Sequence, residues 1–121
     1  MRLTKTRVTF LAFALSCATP LFAQTTQPSA PLLQGLGNHH FQITSQSGQS
    51  QRFFDQGLIL AYAFNHKEAG RAFAEAERLD PECAMAYWGQ ALVLGPHVNA
   101  AMKPEDAPKA WVRSGAGLAA G

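Results

Sequence analysis

The chain has 121 residues, room for one small domain, and its ten basic and eight acidic side chains give a formal charge of +2. Apolar residues make up 47% and charged residues 15%, a globular rather than a disordered composition. Arg2, Lys5 and Arg7 stand ahead of the apolar stretch from Val8 to Ala18, and without them the balance is 7 − 8 = −1, so no basic, aromatic-studded surface remains for nucleic acid.

Those three cations, the apolar run and the small residue Ala23 predict a secretory signal peptide over residues 1–23. Ser16, Thr19 and Pro20 interrupt the run, which falls short of the about 20 apolar residues a membrane-spanning helix needs. A lipidated Cys17 after Ala14-Leu15-Ser16 is the rival reading, with its leucine one place out of register. Export places the mature chain in the periplasm or outside the cell. Cys83 is then its lone cysteine, so an internal disulfide is excluded. Residues 24–47, rich in Gln, Thr, Ser and Pro, predict a flexible to extended leader.

Helical spacing begins at residue 48, with Ser47 or Ser50 as N-cap. Phe53, Gly57 and Leu60 share one face of a first helix, and Ala69, Phe73 and Ala76 repeat the spacing after a break at Asn65-His66. Gly57 and Ala69 are small where two antiparallel helices cross, and Phe53, Leu60 and Phe73 fill the space between the axes. Asn65 with Glu68 reads as a capping box for the second helix, and Asp80-Pro81 as the start of a third, about Glu82 to Leu94. With Pro81, these seven residues match seven of the eight defining positions of a tetratricopeptide repeat. The eighth is Gln56, where the pattern wants an aliphatic side chain.

A second unit starts with Tyr87, Ala91 and Leu94 on one face, then leaves the pattern through Gly95-Pro96 into an inserted loop. A fourth helix should begin near Asp106, with Ala107 and Trp111 on its packing face. After Arg113 the chain becomes small, uncharged and without capping signals, so residues 114–121 are expected to be an unstructured tail of a truncated or frame-shifted reading frame. The fold class is therefore all-α: about one and a half to two tetratricopeptide-like hairpins over residues 48–113.

The segments NHHFQI, QRFFDQGL, YAFNH, the run from Ala76 to Gly89 and Leu94-Gly-Pro-His-Val-Asn99 resemble an exported bacterial family of tetratricopeptide-repeat proteins of unassigned function. The resemblance covers about Leu36 to Trp111 and implies only the N-terminal part of a longer array. His97 stands where that family commonly has Asn.

For chemistry, the adjacent His39 and His40, with His97 or His66 brought close, are the metal candidates. Neighbours on an extended strand point to opposite faces, and neither His-x-x-x-His nor Cys-x-x-Cys occurs. Cys83 lacks an orienting acid and reads as packing at a helix start. Tyr87 reads as core, Trp88 as packed on the second helix or the insertion, and Arg71 with Glu75 as a solvated pair. The reading is a non-catalytic scaffold without cofactor, binding a protein or peptide through Asp55, Gln56, Asn65 and Asn99. The alternatives are a periplasmic metal binder using the His39/His40 cluster and a non-functional truncated fragment.

Overall fold

The computed structural model describes residues 30–120; the expected signal peptide over 1–23 and the leader up to residue 29 lie outside the described residues. Among the described residues the regular structure is all helical: α1 (Gly48–Tyr62), α2 (His66–Leu79), α3 (Ala84–Leu94) and α4 (Ala107–Ala120). Ser47 caps α1, its hydroxyl accepting the Ser50 N–H at 3.2 Å. No helix in this region is long and apolar enough to cross a membrane.

Each helix packs antiparallel on the next. Ser50, at the start of α1, donates its hydroxyl to the Ala76 carbonyl near the end of α2 at 2.8 Å. Gly70, early in α2, faces Val93 late in α3, and Gly117, late in α4, faces Ala84 and Tyr87 early in α3. Phe73 is the hub. Its ring is fully buried between the helices on either side, and a Cβ at Gly57 of α1 would stand 2.6 Å from it. A Cβ at Gly89 of α3 would collide with the same ring. The sequence pattern anticipates the first close approach, because Gly57 is small on the face where the two helices are expected to cross. It misses the second, because Ala91 holds that position in the next unit and lies only half-buried. Phe53, Leu60, Ala69 and Ala76 join Phe73 in the core, while Pro81 is exposed in the turn.

Several local expectations are corrected. Asn65 occupies the N-cap position of α2, but its side chain makes no capping bond, and Glu68 instead accepts from Arg71 at 3.2 Å. Phe64, in the same turn, is held at φ 61°, a left-handed conformation usually left to Gly or Asn. α3 begins at Ala84, two residues later than expected, because Asp80 turns the chain over residues 80–83. Its carboxylate accepts the Glu82 N–H at 3.3 Å and its carbonyl the Cys83 N–H at 3.1 Å. Asp80 also takes the Ser45 hydroxyl at 2.6 Å and the Gln46 N–H at 2.8 Å, fastening the approach to α1 to the α2–α3 turn. These donors, Ser45 foremost, hold its carboxyl below the usual range.

Glu75 does not belong to a solvated face: it is 1% exposed, with Arg78 donating to it at 2.6 Å. Tyr87 is half-buried rather than core, its hydroxyl donating to the Pro81 carbonyl at 2.9 Å. Residues 114–120 are helical, not an unstructured tail. Gly117 lets α4 lie close to α3: a Cβ there would stand 3.1 Å from the Ala84 carbonyl oxygen, tighter than an ordinary contact. Arg113 adds a bond to Glu77 of α2 at 3.2 Å, and Gln90 of α3 donates to the same carboxylate at 2.6 Å.

Candidate functional site

The outward face of α1 is where the sequence places partner contacts, and the structure fills it with the chain's own leader. Helical spacing sets Gln51 and Asp55 one turn apart, with Gln56 beside them. Gln56 is buried. Its amide oxygen accepts the Leu33 N–H at 2.8 Å and its amide nitrogen donates to the Pro31 carbonyl at 2.9 Å. Asp55 accepts the Phe41 N–H at 3.0 Å; Gln51 donates to the Phe41 carbonyl at 2.9 Å and accepts the Ile43 N–H at 3.0 Å. Three side chains thus make five bonds to the main chain of a non-helical segment that bends at residues 34–36, where Gly35 and Gly37 take positive φ. Asp55 in addition accepts from the His40 ring, and Gln51 from the Gln42 amide, so two of that segment's side chains are also engaged. Ala30 and Ile43 are buried at its two ends, and Leu32 and Leu36 pack against the core between them.

The described part of the leader is therefore docked, which corrects the expectation of a flexible stretch. It also explains the polar misfit at Gln56, since an aliphatic residue there would leave the Pro31 carbonyl and Leu33 N–H without these partners. Of the other proposed contacts, Asn65 lies exposed in the α1–α2 turn. Asn99 lies exposed in the inserted loop, its N–H donating to His97 Nδ1 at 3.3 Å.

No known protein family, curated protein or solved structure matches this chain.

The histidines separate into two unrelated places. His40 Nδ1 donates to Asp55 at 2.7 Å and Nε2 faces the Gln42 amide oxygen at 3.2 Å, so both ring nitrogens are committed. The Asp55 carboxylate first, then Gln42, raise the His40 pKa by favouring the doubly protonated ring. His97 does not join His39 or His40. It stacks on His66, with ring centroids 4.3 Å apart and planes inclined by 35°. Phe64 meets both rings, at 6.2 Å from His66 and 6.4 Å from His97. The two nitrogens of His66 are buried without a hydrogen-bond partner. Among the described residues no group of three or more His, Cys, Asp or Glu is placed to hold a metal ion.

Cys83 is buried at the start of α3. Trp88 is 43% exposed, with its ring 6.5 Å from the buried Phe54 of α1, so it reaches the first helix as well. On α4, Trp111, Val112 and Leu118 are 79%, 66% and 87% exposed. Sequence reasoning had no route to the His66–His97 contact, which depends on how far the inserted loop folds back. Gln51 was legible only as one more polar residue on a helix surface.

Proposed function

We propose that this chain is an exported, non-catalytic scaffold of tetratricopeptide-like hairpins that binds an extended stretch of protein or peptide. The observation that supports the reading most directly is the set Gln51, Asp55 and Gln56, which holds two short non-helical stretches of chain, residues 31–33 and 41–43, by their backbone. Reading main-chain groups gives affinity with little sequence demand, the chemistry used wherever a domain takes up an extended peptide. The serial antiparallel helices, the small residues at their crossings and the repeat spacing from Phe53 to Pro81 support the tetratricopeptide comparison. The exported location rests on the charge and apolar pattern of residues 1–23. The exposed apolar residues of α4 offer a second surface for a protein partner.

The test uses a labelled synthetic peptide with the sequence of residues 30–43, titrated into the full mature chain by fluorescence anisotropy. A tethered leader competes at an effective concentration of about millimolar, so the unmodified protein should take up the peptide only weakly. A Leu32→Ser/Leu36→Ser variant, which loosens the leader without touching α1, should bind it at least about tenfold more tightly. Adding Gln56→Ala should remove much of that gain. No saturable binding to a loosened variant that keeps its helical circular dichroism would sink the proposal.

A further inference from the structure

We propose that His66 and His97 form an acid-operated latch that fastens the inserted loop, residues 95–103, against the start of α2. The contact is one of ring against ring, closed on one side by Phe64. The loop has few other ties. His97 and Ala100 exchange backbone hydrogen bonds at 3.0 Å in an isolated bridge, and the Asn99 N–H donates to His97 Nδ1. That last bond requires His97 Nδ1 to carry a lone pair, so the neutral ring has its proton on Nε2.

Three features make charge on this pair unfavourable while the loop is closed. His66 has both nitrogens buried without partners, so a proton added there gains a charge and no hydrogen bond. His66 is also the first residue of α2, at the positive end of the helix dipole. A second imidazolium at 4.3 Å would face the first directly. Burial first, then His97, lower the His66 pKa accordingly. Protonating His97 at Nδ1 would in addition displace the Asn99 N–H.

The surrounding charges do not rescue the protonated pair. The cavity beside the two rings, about 200 Å³, is lined by Val93 and Leu94 of α3, by Met102 and by two charged residues, Lys103 and Asp106. Asp106 is held by Lys109 at 2.7 Å, and Lys103 is a further cation. On α2 itself Lys67 adds positive charge and Glu68 is paired with Arg71. α3 carries no charged residue at all. Opening the loop releases the His66 ring to water, where it takes up a proton near the ordinary histidine value.

The sign follows from linkage. A histidine whose pKa is lowered in the closed state contributes stability that is present above 6.5, its ordinary value, and is lost as pH falls from there through the closed-state pKa. Acidification therefore opens the loop and uncovers Val93 and Leu94, an apolar edge next to the already exposed Val112 of α4. Partner access at that edge would then depend on the pH of the compartment.

The experiment is amide hydrogen exchange on the full mature chain between about pH 7.5 and pH 5, corrected for the intrinsic rate, with histidine ring resonances followed by NMR in the same samples. Protection of the bridged His97 and Ala100 amides should fall by about tenfold or more on acidification, while Phe73 in the core stays protected. His97→Phe keeps a ring on His66 and removes one proton site, so its loop should lose much less protection. The latch is refuted if the unmodified protein holds its His97 and Ala100 amides equally well at both pH values while its histidines titrate. It is equally refuted if a folded His97→Phe variant opens with acid to the same extent.

Discussion

Phe73 shows how one side chain decides which of its neighbours must be glycine. Gly57→Ala and Gly89→Ala each push a methyl group into its ring from opposite sides, and each should cost about 1–3 kcal/mol in chemical denaturation. Gly115 sits inside α4 with nothing within 4 Å of where a Cβ would stand. Gly115→Ala should therefore stabilise the helix by about 0.5–1 kcal/mol, a control of opposite sign in the same assay. Gly57 was legible in the sequence because its spacing to Phe53 and Leu60 is that of a helix face. Gly89 was not, since only the three-dimensional crossing reveals that Phe73 is enclosed from both sides. Gln56 was legible as a misfit in an otherwise apolar pattern, but its meaning lay in a segment twenty-three residues upstream.

At the level of elements, the leader and α4 are the two that sequence patterns describe least well. Neither shows strong periodicity: the leader buries scattered apolar residues between its backbone bonds, and α4 approaches α3 through a glycine. Gln56→Ala removes two hydrogen bonds to the leader, at about 0.5–1.5 kcal/mol each, and should speed proteolysis around Leu33 while α1–α3 remain folded. For α4, the sensitive position is Gly117. Replacing it by Leu cannot be accommodated beside the Ala84 carbonyl and Tyr87, so residues 107–120 should detach from α3. The loss would register as reduced helical circular dichroism, with the Glu77–Arg113 contact broken. Helices α1 and α2 fall where the 3.6-residue spacings of Phe53, Gly57 and Leu60 and of Ala69, Phe73 and Ala76 place them, all six residues being buried. Helix α3 was placed correctly but started late, the turn at Asp80 having consumed what propensity assigns to its first residues.

Across the whole molecule, two histidine sites respond to pH in opposite directions. His40, its pKa raised by Asp55, strengthens the leader contact below 6.5, and that contribution is lost as pH rises through its folded-state value. His66 does the reverse at the inserted loop. Acid should therefore tighten the leader while it loosens the loop. Exchange at the Phe41 amide, which donates to Asp55, should slow as pH falls through the histidine range, and His40→Ala should make that exchange independent of pH once the intrinsic rate is removed.

The enclosure of Phe73 by α1 and α3 also sets how the protein comes apart. A row of helices in which each touches only its neighbours can melt one member at a time, from whichever end is weaker. Here a ring carried by α2 is the common wall of two interfaces, so α1 and α3 cannot separate from α2 independently without exposing the same surface. The first three helices should behave as a single cooperative unit. Helix α4, outside that unit and seated on glycine, is the part free to leave and return on its own.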